Sequence, residues 1–207
     1  MVAAKLVRSH SRNSPIKKIL ALIIAVLAVG VGPAIGDTGG RSIDRAHSTL
    51  TVYVYKTGIL STLAHNHEIE APIESGEIKG AENAIELRVI ASKLRVLDTE
   101  ASDDTRAKIQ ATMLGAEVLA VDRFPEIHFQ STGVESRGPD HWMIRGNLNL
   151  HGQIHPISFE AVLKNGLYEG TVALKQSDFG ITPVKVAGGT IKVKDEIKLA
   201  FSIALLK

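Results

Sequence analysis

The chain contains no cysteine. That absence excludes disulfide staples, a thiol nucleophile, zinc–thiolate sites and lipidation through an amino-terminal cysteine. A surplus of charge of one sign is also missing from the body of the sequence. The formal net charge of +2 reflects 24 Lys+Arg against 22 Asp+Glu in 207 residues, but residues 1–36 hold five of those bases (Lys5, Arg8, Arg12, Lys17, Lys18) and no acid. The other 171 residues carry 19 basic and 22 acidic side chains, a net of −3. A mildly acidic body has no basic excess to neutralise phosphates, which argues against nucleic acid as a partner. Aromatic residues make up only 4%, whereas 44% hydrophobic and 22% charged residues are ordinary for a globular domain and argue against wholesale disorder. There is no Gly-x-Ser-x-Gly and no trustworthy Ser/His/Asp order. The Asp178-Phe179-Gly180 string stands without a kinase's Gly-rich loop, lysine strand or catalytic loop. No enzymatic activity is expected. Internal repeats, low-complexity tracts and linkers are absent too, so residues 37–207 read as one domain.

No apolar run reaches a full membrane span. Ile19 to Gly30 is uncharged for 12 residues, and Gly30, Gly32 and Pro33 break its end, short of the roughly 20 residues a spanning helix wants. Lys17-Lys18 before it and Ala34-x-Gly36 after it complete the order of a secretory signal: basic region, apolar region, small-x-small cleavage site. Residues 1–36 are therefore expected to be a signal peptide cut before Asp37, delivering the protein to a bacterial periplasm. An uncleaved anchor is the competing reading.

What the remaining sequence has in abundance is alternation of period two, the signature of half-buried strands. Leu50, Val52 and Val54 share one face, with Thr51, Tyr53 and Tyr55 on the other. Ile85, Leu87 and Val89 alternate with Glu86 and Arg88, and Ile127, Phe129 and Ser131 with His128 and Gln130. The pattern recurs through Trp142, Ile144, Gly146, Leu148 and Leu150, then Ile157, Phe159, Ala161 and Leu163. It continues through Tyr168, Gly170, Val172 and Leu174, and ends with Ile197, Leu199, Phe201, Ile203 and Leu205. Turns are expected at Ser75-Gly76, Gly138-Pro139, His151-Gly152, Asn165-Gly166 and Gly188-Gly189, with Asn165-Gly166 the sharpest hairpin signal. One segment departs from the pattern. Ser102-Asp103-Asp104 reads as a helix start, Ile109, Met113 and Ala116 or Glu117 follow at helical spacing, and Pro125 ends the excursion. An all-β fold of about eight antiparallel strands with one inserted α-helix must cover its apolar face, and closure into a barrel does so. The small inward residues Ser131, Gly146, Ala161 and Gly170 leave room inside. Small residues also occur in filled cores, so the pattern leaves hollow and filled barrels both open.

Several motifs, in order, carry a resemblance. Ile43-Asp-x-x-His47-Ser48 opens the first strand, and Phe124-Pro-Glu-Ile-x-Phe129-x-Ser131 follows the helix. Gly146-x-Leu-x-Leu-His151-Gly152 with Pro156 comes next, then Gln176-Ser-Asp178-Phe179-Gly180-Ile181 and Val193-x-Asp195-Glu196. From about residue 41 to the end the chain resembles the YceI-like family of bacterial exported proteins. It looks like a divergent branch, because Lys56 stands where many relatives have a His at the end of the first strand. The helix reads Asp104-Thr-Arg106 … Met113-Leu114 in place of an Arg-Asp-x-His-Leu motif. Leu63-Ala-His65-Asn66-His67-Glu68-Ile69 replaces a Gly-x-Phe strand.

The resemblance implies a lipocalin-like extended antiparallel barrel whose tunnel takes a long isoprenoid chain. A lipid-carrying role without turnover follows. No cofactor is required, the occupant being a polyprenyl lipid or quinone. The tunnel lining would comprise Leu50, Val52, Val54, Leu87, Val89, Phe129, Trp142, Ile144, Leu148, Phe159, Ala161, Gly170, Val172, Leu199 and Phe201. The partner is then an apolar lipid, and transient contact with inner-membrane proteins and a dimeric state are both compatible with it.

His65 and His67 are the most distinctive local chemistry. Two residues apart on a strand, they project to one side about 6.6 Å apart, a spacing that lets two imidazoles meet one metal. His47, His151 or Glu68 would have to supply a third ligand. This defines an alternative function, a metal- or haem-associated periplasmic protein. The more ordinary role for the pair is an exposed rim position, with His67 satisfying a local backbone group. A ligand-free, stress-related barrel with a filled core is the third class. His47-Ser48 is expected to tie down the opening of the first strand, and Asp178 to organise a bend. The signal-peptide assignment predicts that protein recovered from a bacterial periplasm begins at Asp37. Amino-terminal sequencing that returned Met1 would establish an uncleaved anchor instead.

Overall fold

Period-two alternation becomes strand throughout a computed structural model that describes residues 40–57, 66–79 and 84–207; the expected signal peptide lies outside these residues. The strands are β1 (Arg41–Thr57), β2 (His67–Glu70), β3 (Ile73–Lys79), β4 (Ala84–Ile90) and β5 (Arg95–Val96). After the helix α1 (Asp103–Leu114) come β6 (Glu126–Gly138), β7 (His141–Leu150), β8 (Gln153–Lys164), β9 (Leu167–Lys175), β10 (Lys185–Val186) and β11 (Ile191–Leu205). Eight of them form a ring in the order β1-β3-β4-β6-β7-β8-β9-β11, and β11 pairs back onto β1 to close it. Every pairing is antiparallel. The closing ladder runs from Ile43 opposite Leu205 to Thr57 opposite Lys192. The short strands β2, β5 and β10 extend the sheet around one end, pairing with β1, β2 and β11 respectively. The expected all-β barrel with one inserted helix is what the chain forms.

The turn chemistry accounts for the hairpins. Asn165 (φ 52°) and Gly166 (φ 83°) join β8 to β9, and His151 (φ 52°) and Gly152 (φ 73°) join β7 to β8. Both are two-residue connections with positive φ at each position, the twist that matches a right-handed pair of strands. Ser75-Gly76 is different, because it lies inside β3 at a shift of register between Ile73 and Ser75. Glycine is needed there for packing: the Ile43 side chain occupies the place a Gly76 Cβ would take. His47 and Ser48 likewise sit within β1, at a bulge between Asp44 and Thr49. His47 Nδ1 meets Asp44 Oδ2 at 2.8 Å, while the Ser48 hydroxyl donates to the Asp44 carbonyl at 2.6 Å and accepts from Ala204 N–H at 2.9 Å. The pair stabilises a bulge in mid-strand, where a strand opening was expected.

Helix α1 starts as expected. Ser102 Oγ accepts from Thr105 N–H, and Asp103 and Asp104 occupy the first turn, where acids complement the helix dipole. It ends earlier than the spacing predicts. Gly115 is its extended C-cap, bonded back to Ala111 and Thr112, so Ala116 and Glu117 lie beyond the helix.

Two inward glycines serve packing. Phe129, Phe159 and Phe201 form a chain of rings with centroids 5.5 and 5.3 Å apart, the spacing of favourable tilted aromatic pairs. A Cβ at Gly146 would overlap the Phe129 ring, and one at Gly170 the Phe201 ring. Those positions are small to seat phenyl groups, and the space the sequence suggested at Gly146 and Gly170 is taken. Gly146→Ala is therefore expected to destabilise the fold by about 1–3 kcal/mol through overpacking. Adding Phe129→Leu should restore only part of that, because Gln130 O also crowds the site. Urea denaturation of the single and double variants measures both.

Candidate ligand-binding site

The inward faces of the ring strands are apolar, and they leave space between them. They enclose two chambers, of about 570 Å³ and about 280 Å³. Leu50, Val89, Ile127, Leu148, Leu174 and Leu199 belong to the walls of both, so the chambers abut at an aliphatic waist.

The larger chamber lies toward the end of β1 where Val52, Val54 and Lys56 point inward. It is roofed by α1 through Thr105, Lys108, Ile109, Thr112 and Met113, all on one helical face by their spacing of three and four, with Ala101 just ahead of the helix. Gln110 holds the roof down, accepting from Val96 N–H at 2.8 Å and donating to Leu94 O at 2.7 Å. A tight turn (Gln176–Phe179) supplies another wall with Phe179, which is 2% exposed, and Ile181 follows it. This bend is organised by Asp195, where Asp178 was expected: one Asp195 oxygen accepts Ser177 N–H at 2.8 Å and the other its hydroxyl at 2.6 Å. His151 Nδ1 donates to Phe179 O at 3.1 Å, and the His155 ring packs edge-on against Phe179.

The smaller chamber holds the phenylalanine chain, and its far end is bounded by Trp142, Tyr168 and Arg41. Trp142 packs on Tyr168 with centroids 5.5 Å apart, and Arg41 donates to the Tyr168 hydroxyl at 3.3 Å.

Of the fifteen residues expected to line a tunnel, fourteen line these chambers. Val52 and Val54 face the larger one. Leu87, Phe129, Trp142, Ile144, Phe159, Ala161, Val172 and Phe201 face the smaller, and Leu50, Val89, Leu148 and Leu199 face both. Gly170 lines neither, lying behind Phe201.

The larger chamber also carries polar side chains, Asp98 and His67 among them. Asp98 is 8% exposed, and accepts His67 Nδ1–H at 2.6 Å and Glu68 N–H at 2.9 Å. A carboxylate can only accept, so the imidazole donates through Nδ1. His67 is thus committed to a buried carboxylate, a more specific role than an exposed rim. His65, its expected metal partner, lies outside the described residues. His47 is bonded to Asp44 and His151 to Phe179 O. Among the described residues no group of three or more His, Asp or Glu side chains is arranged to hold a metal.

The sequence pattern does not reveal Asp98, Phe179, Ile181, Lys108 or Lys192 as lining residues. Ile109 and Met113 were visible as a helical stripe, but nothing in their spacing says that the stripe roofs a cavity.

The chain matches the YceI-like domain over residues 42–205. Among curated relatives, a UPF0312 protein of Azotobacter vinelandii is 36% identical over 102 residues, which is 44% of this chain and 53% of that protein. Protein YceI of Salmonella arizonae is 34% identical over 103 residues, with the same shares. The chain spans about half the length of the curated relatives it matches. Among solved structures, BcnA of Burkholderia cenocepacia is similar with a TM-score of 0.57 at 14% identity, over 80% of this chain and 99% of that one. A polyisoprenoid binding domain from Saccharophagus degradans, implicated in plant cell wall breakdown, gives 0.52 at 11% identity, over 79% and 95%. At such identities the likeness is one of fold.

The Asp195 carboxyl lies below the ordinary carboxylate range, chiefly because the Ser177 hydroxyl and backbone N–H bond its charged form. A lowered native value means that its contribution is complete above the unfolded value and fades as pH falls through the lowered one. Asp195→Ala should therefore destabilise the protein by about 1–3 kcal/mol near neutrality. The difference from wild type should shrink by about pH 3, as read by urea denaturation at each pH.

Proposed function

The chain belongs to the YceI-like domain family, and on that premise we propose that it is a periplasmic carrier that holds a single apolar, isoprenoid-like lipid along the two chambers. The observation that carries this reading is the pair of abutting, apolar-walled cavities inside a closed barrel. Protein interiors are ordinarily packed to crystal density, with few voids larger than a water molecule. At roughly 24 cal/mol per Å³, a void of the larger chamber's size is worth on the order of 10 kcal/mol, as much as the whole stability of a typical domain. An accidental packing defect is never that large, whereas a preformed ligand pocket of about 300–1,000 Å³ is ordinary.

A polyprenyl chain suits this interior because it is hydrocarbon throughout, its methyl and methylene groups joined through trisubstituted double bonds. Each buried CH₂ contributes about 0.8 kcal/mol, so burial supplies the affinity without any catalytic group. Recognition by such an interior rests on shape and apolar burial. The polyisoprenoid-binding description of the Saccharophagus degradans domain supports the same ligand class. The basic and then apolar start of the sequence supports export.

Affinity should rise from geraniol to geranylgeraniol, by about tenfold or more per added isoprene unit until the chambers are filled. Leu199→Trp, which places an indole at the waist, should remove most of the advantage of the longer alcohol while leaving geraniol binding within a few-fold. Titration calorimetry of both proteins reads the two effects. Affinity independent of chain length in the wild type would overturn the proposal.

A further inference from the structure

The outside of the barrel carries a basic strip along its last strand. Ile197 and Leu199 of β11 line the larger chamber, so the residues that alternate with them face out. These are Lys192, Lys194, Glu196 and Lys198, all exposed. Lys175 of β9 stands opposite Glu196, and Lys185 of β10 opposite Lys192, both exposed as well. The five lysines thus spread over three neighbouring strands and about 20 Å of β11. Among the described residues none of them is in an ion pair, whereas Lys79, Lys93, Arg88, Arg95, Arg106, Arg137 and Arg145 all are. Asp195, near Lys175, has both oxygens engaged by Ser177. Glu196 and the exposed Glu68 of β2, opposite Tyr53, are the acids that the ladders set among them. Lys185 and Lys192 face each other directly, and like charges across a ladder repel.

Two of the chain's three tyrosines lie along the same strip. Tyr53 of β1 is paired with Lys198, and the Lys194 ammonium is 5.9 Å from the centre of the Tyr55 ring. Both phenols are half-buried. A tyrosine has an apolar body and a polar tip, which suits the boundary between water and lipid, and a lysine stem behaves in the same way. Tyr55 and Lys192 also border the larger chamber, so the strip runs up to that cavity. Its charge is spread along a sheet face and does not converge on one point, and a continuous layer of anionic lipid satisfies such a distribution without any matching shape. We infer that the outer face of β9, β10 and β11, with Tyr53 and Tyr55 beside it, docks the barrel on an anionic bilayer surface. Docking there brings the larger chamber to the medium in which an apolar ligand dissolves.

The carrier reading supplies a use for this docking, but the docking itself needs no chamber residue. Lys175, Lys194 and Lys198 line neither chamber, so membrane attachment can be measured apart from ligand binding. The test is co-sedimentation of the protein recovered from a bacterial periplasm with vesicles of phosphatidylcholine, or of an equal mixture of phosphatidylcholine and phosphatidylglycerol. At low ionic strength the wild type should partition about tenfold or more strongly on to the mixed vesicles, with the gap narrowing as salt is raised. Each lysine close to such a surface multiplies partitioning about fivefold. Lys175→Gln/Lys194→Gln/Lys198→Gln should therefore bring the ratio close to one, with a urea midpoint near that of wild type to show that it is folded. Arg88→Gln/Arg137→Gln/Arg145→Gln removes the same formal charge from β4, β6 and β7, across the ring, and should keep the wild-type ratio within a few-fold. Equal partitioning of the wild type on both kinds of vesicle would overturn the lipid surface, and an acidic protein would then be the partner that the lysines fit. A preference that survives the lysine variant, or an equal loss in the arginine variant, would overturn the assignment to this face. None of these results bears on whether the chambers hold a lipid.

Discussion

Everything inside this protein depends on the ladder between the first and last strands. β1 and β11 are the longest strands of the ring, and their pairing from Ile43–Leu205 to Thr57–Lys192 converts a meander with two open edges into a closed wall. Without it, two long edges would stand unpaired, a liability for aggregation, and the apolar faces would line a wet groove. With it, the interior is screened from solvent by backbone that is already hydrogen-bonded. The ladder is not regular. Its register shifts between Asp44 and Thr49, where Asp44, His47 and Ser48 hold a bulge, and again between Val54 and Lys56. Bulges bend a strand and re-aim side chains. The second one sits where the inward series passes from valine to lysine, at the mouth of the larger chamber.

The two chambers differ for a reason visible in side-chain shape. In the smaller one, three phenyl rings contact one another and press against glycines, so packing is dense and the space that remains is narrow. In the larger one, aliphatic side chains from β1, β2 and β9 face a helix tied to the Leu94–Val96 segment by Gln110. The interior therefore has a direction. It runs from a chamber roofed by α1, through an aliphatic waist, to an end bounded by Trp142, Tyr168 and Arg41.

The barrel was legible in the sequence because half-buried strands must alternate, and because Asn165-Gly166 and His151-Gly152 have the chemistry that two-residue hairpins require. The same logic placed fourteen of fifteen expected lining residues on chamber walls, since the parity of a strand determines which side chains face inward. It erred where a residue's role depends on a distant neighbour. Ser75-Gly76 has turn composition but lies within β3, because Ile43 needs the space above Gly76. Gly170 has inward parity but is covered by Phe201. Asp98 follows Val96-Leu97 with nothing in the sequence to single it out, and only the folded chain shows that it answers His67, 31 residues away. Lys56 stood out as a departure from the relatives, and in the folded chain it lines the larger chamber.

The central claim is that the barrel is a container for one long apolar chain. Native mass spectrometry of Asp37–Lys207, purified from a bacterial periplasm and then incubated with excess geranylgeraniol, tests it most directly. The account predicts a single stoichiometric adduct, either a co-purified lipid of several hundred daltons that extracts into organic solvent or the added alcohol once that lipid is removed. A protein that shows only its bare mass in both preparations would contradict it.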